Sequence, residues 1–204
     1  MSYYDHTMTS KREQKELTHQ TILESAARLV RERGIAGARV ADVMGRARLT
    51  VGGFYAHFGS KAELIDEALR RTGAKLRDTL FARLDEKPAA DRALVILKRY
   101  LSPAHRDLQT EGCPLPAVVG EIATTAPEHG AVLRGEVEAL AAGIGTHLPA
   151  GTPLQRRQLA LALVALMYGG LGLARALRGT QLSDEVLKAC RALGALAARG
   201  DGRR

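Results

Sequence analysis

Between Ala41 and Lys61 the chain reads ADVMGRARLTVGGFYAHFGSK, which packs two very short helical stretches and a tight turn against a cluster of aromatic residues. A first helix is predicted from Val40 to Arg46, with Val40, Val43 and Met44 at the i, i+3, i+4 spacing that buries one face. Ala47, Arg48 and Leu49 make the turn. Thr50 is placed to cap a second helix through its hydroxyl, with Val51, Gly52 and Gly53 in the first turn and Phe54, Tyr55, His57 and Phe58 behind them. Inside a helix each glycine costs about 1 kcal/mol relative to Ala. What two glycines offer in return is a backbone that a bulky partner can approach closely. Ser60-Lys61-Ala62-Glu63 then reads as a capping box that opens a third, much longer helix. Helix, turn and second helix form a helix-turn-helix, whose second helix enters the major groove of DNA.

With the amphipathic segment LTHQTILESAARLVRERG before it and the run FYAHFGSKAEL at its end, this region resembles the DNA-binding domain of TetR-type transcriptional regulators from about Lys15 to Leu69, roughly a quarter of the chain. The order aromatic-aromatic-x-x-aromatic-x-Ser-Lys-x-x-Leu is the specific part of the likeness. There are two departures: Arg48 stands where such proteins often carry Gly, and the reading helix begins with Val51-Gly52-Gly53 in place of longer polar side chains. The resemblance implies an all-α protein, with a three-helix helix-turn-helix domain over residues 10–60, a linking helix over 61–84 and a helical effector-binding and dimerisation domain over 85–204. It further implies a homodimeric repressor released from a pseudo-palindromic operator by a small-molecule or thiol-reactive effector. A ligand-binding or scaffold protein with a degenerate DNA domain is the alternative.

The groove-facing residues expected from the helix-turn-helix are Thr50, Val51, Gly52 and Gly53. Val51 can touch a thymine methyl, but none of the four offers the bidentate hydrogen bonds by which Arg reads guanine. Specificity then leans on DNA shape and on Arg39, Arg46 or Arg48 beside the helix. By resemblance, Tyr55, His57 and Lys61 contact phosphates, while Phe54 and Phe58 stay in the core. Each of the three polar residues also has a purely structural reading: Tyr55 half-buried, His57 exposed on its helix, Lys61 a solvated charge. Thr18 with Lys11, Arg12 and Lys15 adds a basic run to the first helix, read as solvated.

Charge does not decide the partner. Residues 1–87 carry 16 Lys and Arg against 12 Asp and Glu, and residues 88–204 carry 14 against 10, so the net +8 is shared evenly and suits nucleic acid and acidic membranes alike. The start of the chain is polar, with no apolar leader, and a cytoplasmic location is expected. Leu159 to Ala174 is the longest apolar stretch, read as a buried helix with no membrane partner. Two distant cysteines give neither a disulfide framework nor a metal pattern.

Met1 to Thr9 reads as a polar tail, and Ser10 with Glu13 as a capping box opening a first helix that Gly34 ends. Ile22, Ala26, Leu29 and Val30 form its buried stripe. The helix from Ser60 is expected to run to about Leu84. Beyond it, helices are expected at Asp91 to Leu101, Pro114 to Thr124, Pro127 to His147, Pro153 to Arg178 and Ser183 to Arg199, three of them with Pro at the first helical position. The fourth carries a small seam (Ala162, Ala165, Gly169, Gly172, Ala176) beside a large one (Leu159, Leu163, Leu166, Leu173, Leu177), so nearly its whole circumference is apolar and other helices should surround it. The last carries a stripe of Val186, Leu187, Cys190, Leu193, Gly194 and Ala197. The resemblance implies that these two helices pair with their copies in a dimer; the stripes alone fit an intramolecular bundle equally well.

Of eight Phe and Tyr residues, Tyr3, Tyr4, Phe54, Tyr55 and Phe58 lie in the first third, leaving Phe81, Tyr100 and Tyr168, and Trp is absent. An effector pocket would therefore be mainly aliphatic, suited to a small or aliphatic ligand, reactive ones included, in place of a caged cation. Candidate effector-contacting residues are Tyr100, His105, Cys113, Glu121, Met167 and Tyr168. In Glu111-Gly112-Cys113-Pro114-Leu115 a thiol stands at or just before a helix N-terminus, where the dipole lowers its pKa and favours reaction. Cys190 reads as a buried hydrophobe. His105, His129, Glu121 and Cys113 match no metal spacing, and no GxSxG, phosphate loop or HExxH occurs, so no metal, cofactor or catalytic residue is expected.

Overall fold

A capping box opens the first helix: the Ser10 hydroxyl accepts the Glu13 amide and the Glu13 carboxylate accepts the Ser10 amide, so α1 (Lys11–Gly37) starts immediately after. The computed structural model describes residues 10–108 and 112–199; the tail Met1 to Thr9, with Tyr3 and Tyr4, and Glu111 lie outside them. Gly34, at φ 72° and ψ −177°, breaks α1 in a backbone region open essentially to glycine alone. The last turn of α1 is set off from the rest by that break.

α2 (Val40–Arg46) follows, then a 3-10 helix (Val51–Ala56) and α3 (Lys61–Phe81). α3 is one turn shorter than its apolar pattern implies, because Ala82 leaves the helical region and Arg83 takes φ 53°. A 3-10 turn (Ala89–Asp91) leads into α4 (Arg92–Tyr100). α5 (Pro103–Asp107) was not expected; the Ser102 hydroxyl caps it by accepting the His105 amide, and Pro103 takes the first position. Then come α6 (Leu115–Thr124), a 3-10 turn (Pro127–His129), α7 (Gly130–Gly145), α8 (Pro153–Ala176) and α9 (Gln181–Arg199). Of the three prolines expected at first helical positions, Pro153 takes that place, behind a Thr152–Gln155 capping box. Pro114 instead precedes α6, and Pro127 opens a 3-10 turn in front of α7. The described residues contain no strand.

α1 packs on α2, α3 and α6, α3 reaches on to α7 and α4, and α8 lies against α7 and α9. The buried apolar residues form one continuous cluster from Ile22 to Ala198. Two close crossings explain two of the small residues: a Cβ on Gly170 would meet the Cys190 Sγ and Leu101, and one on Gly194 would meet Leu97 and Leu166. Cys190 is half-buried in that crossing.

α8 is long and apolar enough to cross a membrane by length and composition, a test that core helices also pass. One face of it is core: Leu163, Val164, Met167, Leu171 and Ala174 are buried. The remaining circumference is not enclosed within the chain as expected. Ala162, Ala165, Gly169 and Ala176 are exposed, and Leu173 is 57% exposed. On α9, Leu187, Gly194 and Ala198 face in, while Leu193 and Leu196 are 58% and 71% exposed. The apolar pattern of these helices therefore serves two surfaces, and the chain itself covers one.

Candidate nucleic-acid interface

The short pair is held from behind by aromatic packing. Phe54 and Phe58 are buried with ring centroids 5.7 Å apart, and His19 of α1 stacks on Phe58 at 4.4 Å. Val43 and Met44 are buried on the facing side of α2. This anchoring leaves the opposite side of the 3-10 helix open: Thr50, Val51 and Gly52 are exposed, Gly53 is half-buried, and nothing lies within 4 Å of a Cβ built on Gly52.

The reading element is a 3-10 helix and not the α-helix expected, and the Thr50 hydroxyl caps nothing. The reason is local. The Gly53 amide, which a capping hydroxyl at Thr50 would accept, instead donates to the Thr50 carbonyl at 3.1 Å, the i to i+3 bond of a 3-10 turn. Two glycines in the first turn remove the side chains that would favour the wider α-helical winding.

Around this element the other expected residues divide. Tyr55 is 76% exposed, its ring edge-on to Phe54 at 5.3 Å, so the half-buried reading does not apply. His57 is half-buried and not solvent-exposed; its Nδ1 is buried without a hydrogen-bond partner, and burial, helped by His19 and Lys15, holds the ring below the ordinary histidine range. Lys61 donates from Nζ to the Ile35 carbonyl at 2.8 Å, which makes it a tie to α1 as well as a cation. Arg46 is held bidentately by Glu32, both distances 2.9 Å. Arg39 and Arg48 are exposed and make no ion pair with any described residue. The Ser60 hydroxyl accepts the Glu63 amide at 3.1 Å, but the Glu63 carboxylate reaches past Ser60 to the Gly59 amide, so the expected capping box is completed one residue early.

On the effector side the candidates do not converge. Tyr100, His105, Cys113 and Met167 are buried in the core. The His105 Nδ1–H donates to the Tyr100 carbonyl at 2.7 Å, and its Nε2 accepts the Cys113 amide at 3.1 Å, fixing a neutral tautomer; burial, with Arg175 nearby, lowers its pKa to about 4. The Cys113 thiol is fully buried and burial pushes its pKa up, the reverse of the activation expected, because that desolvation outweighs the lowering by Tyr100, by the Leu115 backbone at the start of α6 and by the nearby Arg175 and Arg31. The buried Tyr100 hydroxyl approaches that thiol without completing a hydrogen bond of good geometry. His129 pairs with Asp66 at 2.7 Å, and Glu121 accepts the Ile35 and Ala36 amides of α1 at 3.0 and 2.9 Å. Among the described residues no cluster of metal ligands forms.

Tyr168 alone of the six lines a cavity, of about 470 Å³, open between α6, α7 and α8. Pro116 and Val119 come from α6, Leu133 and Val137 from α7, and Val164, Gly169 and Gly172 from α8; none carries a charge. Gly169 and Gly172 stand in the small seam read on α8, but Pro116, Val119, Leu133 and Val137 escaped the sequence reading because no apolar face was assigned to α6 or α7. The available signal was a second apolar face on α6: Pro116 and Val119 fall between the core positions Leu115, Val118 and Ile122.

Residues 22–68 match the family model described as bacterial regulatory proteins, tetR family. The HTH-type transcriptional repressor KstR2 of Mycobacterium tuberculosis is 42% identical over 62 residues, 30% of this chain and 29% of that protein, so the match spans less than a third of the relative's length. The whole fold is shared with solved structures: Escherichia coli NemR in its reduced form has a TM-score of 0.74 at 21% identity, covering 87% of this chain and 94% of that one. A TetR transcriptional regulator from Chloroflexus aurantiacus has a TM-score of 0.73 at 24% identity, covering 89% and 94%. Residues 22–68 are thus similar to the helix-turn-helix of the tetR family of bacterial regulatory proteins, and most of the chain shares its fold with solved TetR-type regulators.

Proposed function

We propose that the protein is a homodimeric, cytoplasmic transcriptional repressor that binds a pseudo-palindromic DNA site through residues 10–60 and releases it when a small molecule occupies residues 85–204, with 61–84 as the link. One observation carries the DNA reading: an open, side-chain-poor surface at Thr50 to Gly52, backed by buried Phe54 and Phe58 and flanked by the exposed Arg39, Arg48 and Tyr55. Such a surface admits a groove edge to the backbone, while the flanking cations and Tyr55 meet phosphates and set register. Lys61 contributes from the start of α3, and His57 from behind, as a neutral ring.

The dimer reading is supported by the leucines that α8 and α9 leave uncovered, Leu173, Leu193 and Leu196, together with the exposed small residues Ala162 and Ala176 of α8. Two copies related by a two-fold axis would bury both faces and set two reading heads a whole number of helical turns apart. The effector reading is supported by the uncharged cavity, of a size that small-molecule sites commonly have. With Tyr168 its one polar side chain and no described partner on that hydroxyl, it suits an uncharged, largely aliphatic molecule. The burial of Cys113 favours non-covalent binding over thiol modification.

The test is selection of DNA from a random duplex pool by the full-length protein, followed by affinity measurements across salt. The expected outcome is enrichment of an inverted repeat whose binding weakens steeply with salt, as counterion release requires. A protein that enriches no sequence, at low salt and with its dimer intact, overturns the reading.

A further inference from the structure

The contact between Glu121 and the broken end of α1 is not explained by packing alone. At Gly34 the backbone turns out of the helix with φ 72°, and the next two amides, Ile35 and Ala36, converge on the Glu121 carboxylate at 3.0 and 2.9 Å. Successive amides at such a turn make a cradle for an anion. The fit is close enough that a Cβ on Gly34 would lie 2.0 Å from the Glu121 Oε1. The peptide it grips is held from the other side as well, since the Ile35 carbonyl accepts the Lys61 ammonium. Four residues beyond Ala36 the first helix of the reading pair begins, with Ala38 already fully buried.

Glu121 belongs to α6, and Pro116 and Val119 of that same helix form a wall of the cavity. The start of α6 is tied to α1 too, because Arg31 donates to the Gly112 carbonyl at 2.7 Å. A displacement of α6 by a molecule in the cavity therefore pulls on the segment that aims the reading pair.

We infer that Glu121 is a positioning residue that transmits the placement of α6 to the turn ahead of α2, so that its carboxylate, seated on the Ile35 and Ala36 amides, sets the DNA-competent orientation of the head. The inference rests on the proposed DNA-binding function and names how its two halves communicate.

The experiment uses the full-length dimer and a duplex that the native protein selects. The probe is a wedge: a Cβ on Gly172 would sit 3.7 Å from the Pro116 Cβ, so the longer side chain of Gly172→Leu pushes α8 against the first turn of α6. In the otherwise native chain the wedge should weaken DNA binding about tenfold, within the usual range of allosteric coupling. Glu121→Ala should itself weaken binding and speed hydrogen exchange at Ile35 and Ala36, and in that background the wedge should cost less than about twofold more. Glu121→Gln, of the same size and still able to accept one amide, should fall between the two and guards against a misfolded alanine variant. Sedimentation checks that every variant remains a dimer. A wedge without effect in the native background, or one with the same effect whether or not Glu121 is present, overturns the inference while leaving DNA binding intact. A native protein that selects no DNA removes the functional reading first, and this inference with it.

Discussion

Arg48 sits at φ 59°, in the left-handed region that a side chain makes costly, and no described carboxylate holds its guanidinium. Replacing it by Gly should therefore raise stability by about 1 kcal/mol while weakening DNA binding, if the side chain is kept for a phosphate. Thermal melts and affinity for a selected duplex check the two halves; a variant that is more stable and binds equally well removes Arg48 from the interface. His105 carries a pH dependence. Its folded pKa, about 4, lies below the ordinary value of 6.5 because burial disfavours the cation, so the neutral ring's contribution is complete above pH 6.5 and is lost as pH falls toward 4. At about 1.4 kcal/mol per pH unit over that interval this amounts to roughly 3 to 4 kcal/mol. Urea midpoints at pH 7 and pH 4.5 should separate more for the native protein than for His105→Gln, and equal separation contradicts the assignment. Neither property was legible from residue type: the sequence shows that Arg replaces a common Gly, but not that the turn keeps the backbone shape Gly would suit. Cys113 is the sharper case. Proximity to a helix start pointed to a reactive thiol, and full burial reverses the sign of its pKa shift.

At the scale of elements, α2 lies where its 3.6-residue pattern placed it, Val40–Arg46, because Val43 and Met44 have only one core to face. The next element differs in winding. Hydrophobic spacing marks which residues point inward, Phe54 and Phe58, and does so for an α-helix or a 3-10 helix over so few residues. What decides between them is which acceptor takes the Gly53 amide, a matter of backbone geometry. Space beside the glycines is free: a Cβ at Gly52 meets nothing, and one at Gly53 lies 3.9 Å from the Met44 Cε. Gly52→Ala and Gly53→Ala should each stabilise the domain, by up to about 1 kcal/mol. Gly52→Ala should also weaken DNA binding by standing a methyl group between backbone and groove, and Gly53→Ala, whose methyl meets Met44, should weaken it less. Denaturant midpoints and duplex affinity test this pair of opposite signs, and unchanged affinity in both variants places the glycines outside the interface. Glu63 reaching to Gly59 and the unexpected α5 belong to the same class, local hydrogen bonds settled by the path of the chain.

For the whole molecule, the uncovered leucines of α9 give the plainest prediction. Leu193→Glu with Leu196→Glu changes two side chains that are mostly exposed in the single chain, so the fold should persist, while a dimer that buries them loses about 1.5–3 kcal/mol per leucine besides the cost of buried charge. Sedimentation should find a monomer and DNA affinity should fall; a dimer unchanged by both substitutions moves the interface elsewhere. The sequence by itself determined that the protein is helical, where most helices lie and that the N-terminal part carries a helix-turn-helix, because periodicity, caps and the aromatic run are encoded within a few residues of one another. It marked α8 as apolar around nearly its whole circumference and α9 along one stripe, without saying which parts the chain would cover. Only the tertiary structure decided that, and with it the burial of Cys113, the cavity between α6, α7 and α8, and the reach of Glu121 to a turn 86 positions away at Ile35. Contacts between residues far apart in sequence depend on how helices are placed in space, and the pattern along one helix holds no record of the neighbour it meets.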